Sequence, residues 1–274
     1  MATLLLKSWL AQRDSTLRWI EFEAYARRVF ASDPSDWYRD PVRYAATLIQ
    51  AQGVIGTHCL SVDITAPFMA AKVAHADDLP ALFASAAPLA FVSEALNALL
   101  HRFESRLDLV LKISAPWDLL GGGDDASFAA MDDLGTALTS CMRRFSDRPI
   151  AALLVETART EALSADEIDA CQPLLSAARH YGWTTAMALP ADRDGAVRAV
   201  ALDLDVLLWP QRASGDIGDR GATNAKPQAG GGLNDAVWAG SAPLPERATA
   251  LLYGAIPAAA TPETVVSITR ALQA

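Results

Sequence analysis

The stretch that decides the fold is Leu109-Val110-Leu111-Lys112-Ile113-Ser114-Ala115-Pro116-Trp117-Asp118-Leu119-Leu120, followed by Gly121-Gly122-Gly123. Its first half is apolar at nearly every position, as a strand covered on both faces must be. Its second half stops the strand with a small residue, a proline and a tryptophan. In an α/β protein that strand end is where ligands sit.

Working outward, the same pattern repeats. His58–Ile64 reads as a strand ending near Asp63, and Ile150–Val155 as a buried strand ending at Glu156. Trp183–Leu189 is closed by Pro190, Leu204–Trp209 follows, and Leu251–Ile256 is a weaker strand. Helical segments fall between them, at 92–106, 127–146 and 193–201. Ser164-Ala165-Asp166-Glu167 opens another as a capping box. Thr261-Pro262-Glu263 starts a final helix, with threonine as cap and proline at the first helical position.

The opening region, up to about Gly53, reads as helices: Trp19, Phe22, Tyr25, Ala26 and Val29 recur at helical spacing, as do Tyr44, Leu48 and Ala51. Residues 211–232 hold six glycines and one large aliphatic, Ile217, and read as a long loop. The alternation predicts an α/β fold, a (β/α)8 TIM-type barrel forming a single domain over 1–274 with an N-terminal helical segment over 1–53. No G-x-G-x-x-G follows a strand and no Walker A pattern is present, which argues against a Rossmann sheet.

Composition bounds the function. The chain has 274 residues, 51% hydrophobic and 20% charged, with a net charge of −9. That balance predicts no nucleic-acid partner. No apolar run is long enough for a bilayer span, so no membrane partner is expected. Cys59, Cys141 and Cys171 are odd in number and lack zinc spacing. They read as reduced thiols, and with no signal peptide evident the expected location is cytoplasmic.

Several short motifs, in order, resemble the uroporphyrinogen decarboxylase superfamily. Ser114–Leu119 is similar to that family's small-residue-Ala-Pro-Trp/Phe-Thr-Leu strand end, with Asp118 in place of the threonine. Ser61-Val62-Asp63-Ile64 resembles its Phe-Ser-Asp-Ile, and Glu156-Thr157 stands where it carries Asp-Ser. Gly231-Gly232-Leu233-Asn234-Asp235 and Gly254-Ala255-Ile256-Pro257, then Thr261-Pro262-Glu263, are similar to its closing turns, in order. The resemblance implies a cofactor-independent carboxy-lyase of porphyrin biosynthesis, in which a carboxylate stabilises a protonated pyrrole while an acetate side chain loses carbon dioxide. The departures are specific. The family's Arg-Gln-Ala-Gly-Arg segment has no equivalent, and its late histidine is replaced, most simply by Gly254. The zinc ligands of the related corrinoid methyltransferases are absent from Ala186–Leu189 and Tyr253–Ala255, so no metal is expected.

Each candidate residue has a functional and a structural reading. Asp63 stabilises a developing cation in a dry barrel mouth, or caps a helix. Glu156 serves as a second acid or base with Arg159 as an anion contact, or makes an ordinary salt bridge. Lys112, odd within a strand, pairs with a carboxylate inside the barrel or reaches a ligand. Ser114 and Trp117 wall the substrate site, the ring stacking on a planar ligand or packing under a loop. The four histidines, His58, His75, His101 and His180, are scattered and assemble no catalytic set. Three functions stay open: a decarboxylase acting on a small anionic or tetrapyrrole-like ligand, a methyltransferase relative, and a non-catalytic binding subunit. A homodimer is compatible with each.

Overall fold

The computed structural model describes residues 4–13, 15–71, 78–104, 106–121, 126–158, 163–190, 202–213, 227–245 and 251–274. Its centre is a closed parallel barrel of eight strands in sequence order. They are β1 (Leu17–Glu21), β2 (Cys59–Asp63), β3 (Asp108–Ser114), β4 (Ile150–Glu156), β5 (Thr184–Ala188), β6 (Val206–Trp209), β7 (Gln228–Gly232) and β8 (Leu251–Ala255). Closure comes from β1 pairing with β8, Leu17 opposite Leu251 through Glu21 opposite Ala255.

Alternation along each strand divides the core in two. Leu17, Trp19, Cys59, Val110, Ala152, Leu154, Ala186, Val206, Leu208 and Tyr253 fill the barrel interior. Their neighbours Ile20, Leu60, Leu109, Leu111, Leu153, Val155 and Leu207 pack outward, against the helical layer. This two-sided burial is why the strands read as continuous apolar runs. The long outer helices are α3 (Pro41–Ile55), α6 (Ala86–Phe103), α8 (Phe128–Arg143), α9 (Ala165–His180) and α11 (Pro262–Gln273). Between them lie the shorter α4 (Ala66–Ala70), α5 (Leu79–Leu82), α7 (Pro116–Leu119) and α10 (Asp235–Trp238). The Ser164 capping box at the start of α9 is formed from both sides. Thr261 precedes α11 but gives its hydroxyl to Thr264 Oγ1 and accepts from no backbone amide.

Before the barrel comes α1 (Leu5–Gln12), which lies across its amino-terminal end. Leu6 and Trp9 join the interior cluster. The helix has no cap of its own. Asp108, the first residue of β3, accepts from the amides of Leu5 (3.1 Å) and Leu6 (2.7 Å). A carboxylate from a distant strand thus satisfies donors that a helix start leaves open.

Two expectations are corrected. The opening region is not wholly helical: β1 lies within it, between α1 and α2 (Glu23–Val29). Trp19, Phe22 and Tyr25 share a three-residue spacing only because a strand ends there and a helix begins. The run 211–232 is not all loop, because Gln228–Gly232 is β7. A strand of glycines has no side-chain signal. It forms here because β6 and β8 supply ladders on both sides. Leu208 and Leu251 also lean over Gly230, where a Cβ would come within 2.7 and 2.8 Å of them. The expected helix at 193–201, His75 and Gly122–Asp125 lie outside the described residues.

Candidate active site at the carboxyl end of the barrel

The inward parity of β1 to β4 ends in charge. Glu21, Asp63, Lys112 and Glu156 share parity with the interior residues Trp19, Cys59, Val110 and Leu154, one or two repeats of the pleat further on. Asp63 stands beside Lys112 in the ladder, and Glu156 beside Ser114. The Lys112 ammonium is therefore ringed. Its Nζ lies 3.2 Å from Glu156 Oε2 and 3.8 Å from both Glu21 Oε2 and Asp63 Oδ2. Glu21 is nearly closed to solvent, whereas the Glu156 side chain is 41% exposed and forms the outer lip.

Glu21 is the deepest acid. Its Oε1 accepts from Trp19 Nε1 at 2.9 Å and from the Ser61 hydroxyl. Burial pushes its pKa up, outweighing the opposing pull of Lys112, Ser61 and Trp19. Beside it, Glu23 at the start of α2 accepts from Trp37 Nε1 (3.0 Å), Tyr38 Oη (2.9 Å) and Tyr44 Oη (3.1 Å). Burial and then the charge of Asp63 push Glu23 up as well. Burial alone would lower Lys112, but Glu156, Glu21, Asp63 and Glu23 together hold it charged well above its ordinary range. A firmly charged lysine beside a reluctant acid is not a contradiction. One cation cannot neutralise every carboxylate around it, and for the two buried glutamates, Glu21 and Glu23, burial outweighs its pull.

The two oxygens of Asp63 divide their work. Oδ1 accepts from Thr65 N (2.9 Å), Thr65 Oγ1 (2.7 Å) and Ala66 N (2.9 Å), fixing the loop into α4, while Oδ2 faces Lys112. Ser114 joins the same network, its Oγ 3.3 Å from Thr65 Oγ1. Of the two readings of Trp117, the structure has the packing one. Trp117 is fully buried in the outer core and its indole donates to Thr157 Oγ1 at 2.9 Å. The ring packs α7 onto the exit of β4 and has no face to offer a ligand. Arg159 lies outside the described residues.

Sequence reasoning passed over Glu21, Glu23 and Tyr253. Tyr253 is wholly buried inside the barrel, edge-on to Trp19 with ring centroids 6.0 Å apart. Its hydroxyl has no hydrogen-bond partner among the described residues. Burial, then Glu21 and Glu156, raise its pKa, so it remains a phenol. Gly254, the simplest counterpart of the resembled family's histidine, faces the other way. A Cβ there would lie 1.9 Å from the Leu233 carbonyl oxygen. The inward positions of β8 are Leu251, Tyr253 and, by the same alternation, Ala255.

Among the described residues no group of three His, Cys, Asp or Glu side chains is arranged to hold a metal ion. Lys112 occupies the centre of the carboxylates instead. No described helix is long and apolar enough to cross a membrane. In comparisons with known proteins, the chain matches no protein-family model and no curated protein.

Proposed function

We propose that the protein is an acid–base enzyme of the barrel mouth, a decarboxylase acting on a small carboxylated substrate. The observation that carries this reading is the ring of Glu21, Asp63 and Glu156 around Lys112 at adjoining strand ends. A buried carboxyl with a raised pKa holds its proton to higher pH than a free one and can hand it to a substrate. Glu21 protonates an electron-rich carbon of the substrate, and the resulting cation is stabilised by the carboxylates of Asp63 and Glu156. The bond to the leaving carboxylate then breaks, its electron pair forms an exocyclic double bond that neutralises the cation, and carbon dioxide departs. A proton from water then adds to the exocyclic carbon and the ring carbon returns its proton to Glu21, so that hydrogen replaces the carboxylate and one proton is consumed overall.

Lys112 orients the substrate. Glu156, the exposed partner at 3.2 Å, is the one that a substrate carboxylate displaces. One lysine suits one carboxylate. The acidic surroundings disfavour a polyanion, so a tetrapyrrole bearing many carboxylates is a poorer fit than a mono- or dicarboxylate. The test is carbon dioxide release from a panel of pyrrole- and aryl-acetates, with uroporphyrinogen alongside. Release from a small acid, abolished in Glu21→Gln, is expected. No release from any of them, or release unchanged in that variant, refutes the reading.

A second reading, a binding subunit without chemistry, is favoured by one observation: Oδ1 of Asp63 is fully engaged in the α4 turn. It predicts that a small carboxylate binds, at a site lost in Lys112→Met, with no turnover.

A further inference from the structure

The amino-terminal end of the barrel, opposite the acidic mouth, carries a cavity of about 600 Å³. That volume falls within the range of small-molecule sites. One wall is α1, through Leu10 and Ala11. The floor is the start of β5, Trp183 and Thr184, with Gln228 from β7 beside it. Lys7, Arg13 and Arg179 border it against a single carboxylate, Asp205. The chain as a whole has 23 basic and 32 acidic residues, so the sign of this cavity is reversed relative to the protein.

Lys7 and Arg179 are positioned without being neutralised. Lys7 Nζ donates to the Gly182 carbonyl. Arg179 Nη2 donates to the carbonyls of Leu202 (2.7 Å) and Asp203 (3.1 Å), which fixes the guanidinium and leaves Nε and Nη1 without partners among the described residues. Neither Lys7 nor Arg179 has a carboxylate within ion-pair distance among those residues. Lys7 acts at longer range on Asp108, whose two oxygens are taken by the amides of Leu5 and Leu6. Asp205 Oδ2 is held by Thr185 through its amide (2.9 Å) and its hydroxyl (3.1 Å).

We propose that this cavity is a second ligand site, for a small organic anion with an aromatic or aliphatic body. The carboxylate or phosphate is held by Lys7 and Arg179, and the body lies between α1 and Trp183. A guanidinium with two further donors matches the oxygens of such a group. The apolar surface of Leu10 and Trp183 gives the body a place that an inorganic ion cannot use.

Calorimetric titration of the full chain with phenyl phosphate, inorganic phosphate and benzyl alcohol tests this. Phenyl phosphate is expected to bind one per chain, and each of the other two at least about tenfold more weakly. Ala11→Glu, at an exposed helical position, places a carboxylate among the cations. It is expected to weaken phenyl phosphate by at least about tenfold while the melting temperature holds, as is Arg179→Ala. If Arg179→Ala melts early, the Ala11→Glu result decides. Absence of saturable phenyl phosphate binding, or binding that Ala11→Glu leaves unchanged, overturns the proposal.

Discussion

Lys112→Met removes the cation and keeps an unbranched apolar stem. The interactions lost are with Glu21 and Asp63 at 3.8 Å and Glu156 at 3.2 Å. At an effective dielectric of about 20, a fully ionised pair at 3.8 Å, as with Asp63, is an attraction of ~4 kcal/mol; Glu21 contributes less because burial favours its neutral form, and the half-exposed Glu156 contributes less because water screens it. The cost of desolvating lysine offsets much of that sum, so truncation is expected to cost ~3–5 kcal/mol near neutral pH. That is a large part of the ~5–15 kcal/mol that holds a typical domain folded. The penalty depends on pH in a definite direction. Without Lys112, Glu21 and Glu23 lose the cation that pulls their pKa values down and are raised further above the unfolded value, so the variant loses stability as pH rises above the ordinary carboxyl range. Each carboxyl held neutral adds ~1.4 kcal/mol per pH unit. Urea unfolding at about pH 7.5 and about pH 5 measures both parts, and the destabilisation should shrink by ~2 kcal/mol or more at the lower pH. A loss below ~1 kcal/mol, or one equal at both pH values, refutes the reasoning.

Three further outcomes are expected. Gly254→Ala drives a methyl group into the Leu233 carbonyl, where no flexible side chain can yield, and urea unfolding should show a loss of ~2 kcal/mol or more. Asp108→Asn weakens the bonds that dock α1 and should cost ~1–2 kcal/mol, with increased amide exchange confined to residues 5–12. His58 is pushed down to about 4 from 6.5 by burial and then by Arg18. As pH falls through that window the unfolded chain takes up the proton first, so stability drops, by ~1–2 kcal/mol once solvent screening of this half-buried ring is allowed for. Glu21 and Glu23, raised by burial, act in the opposite direction, so the His58 contribution is read by urea unfolding as the difference from His58→Gln across the same pH range.

The strands buried on both faces were legible because their covering is written in the residues themselves, as in Ile150–Val155. Lys112 was legible for the converse reason: a charge inside an apolar run needs a partner. β1 was not, because it is a short strand set between two helices, and Trp19 belongs equally to a strand and to a helical spacing. β7 has glycines where side chains would signal. Glu21 therefore lost its place at a strand end, and with it the deepest acid of the site. The cations at the opposite end come from Lys7, Arg13 and Arg179, brought together by barrel closure, and no local pattern announces them.

The central claim is that burial makes Glu21, inside the Lys112 ring, hold its proton more tightly than an ordinary glutamate. Carbon-13 NMR of protein labelled at glutamate side-chain carboxyls measures this directly. The account predicts a glutamate resonance, lost in Glu21→Gln, that titrates clearly above the ordinary value of 4.5. If every glutamate resonance titrates at or below that value, the account is contradicted.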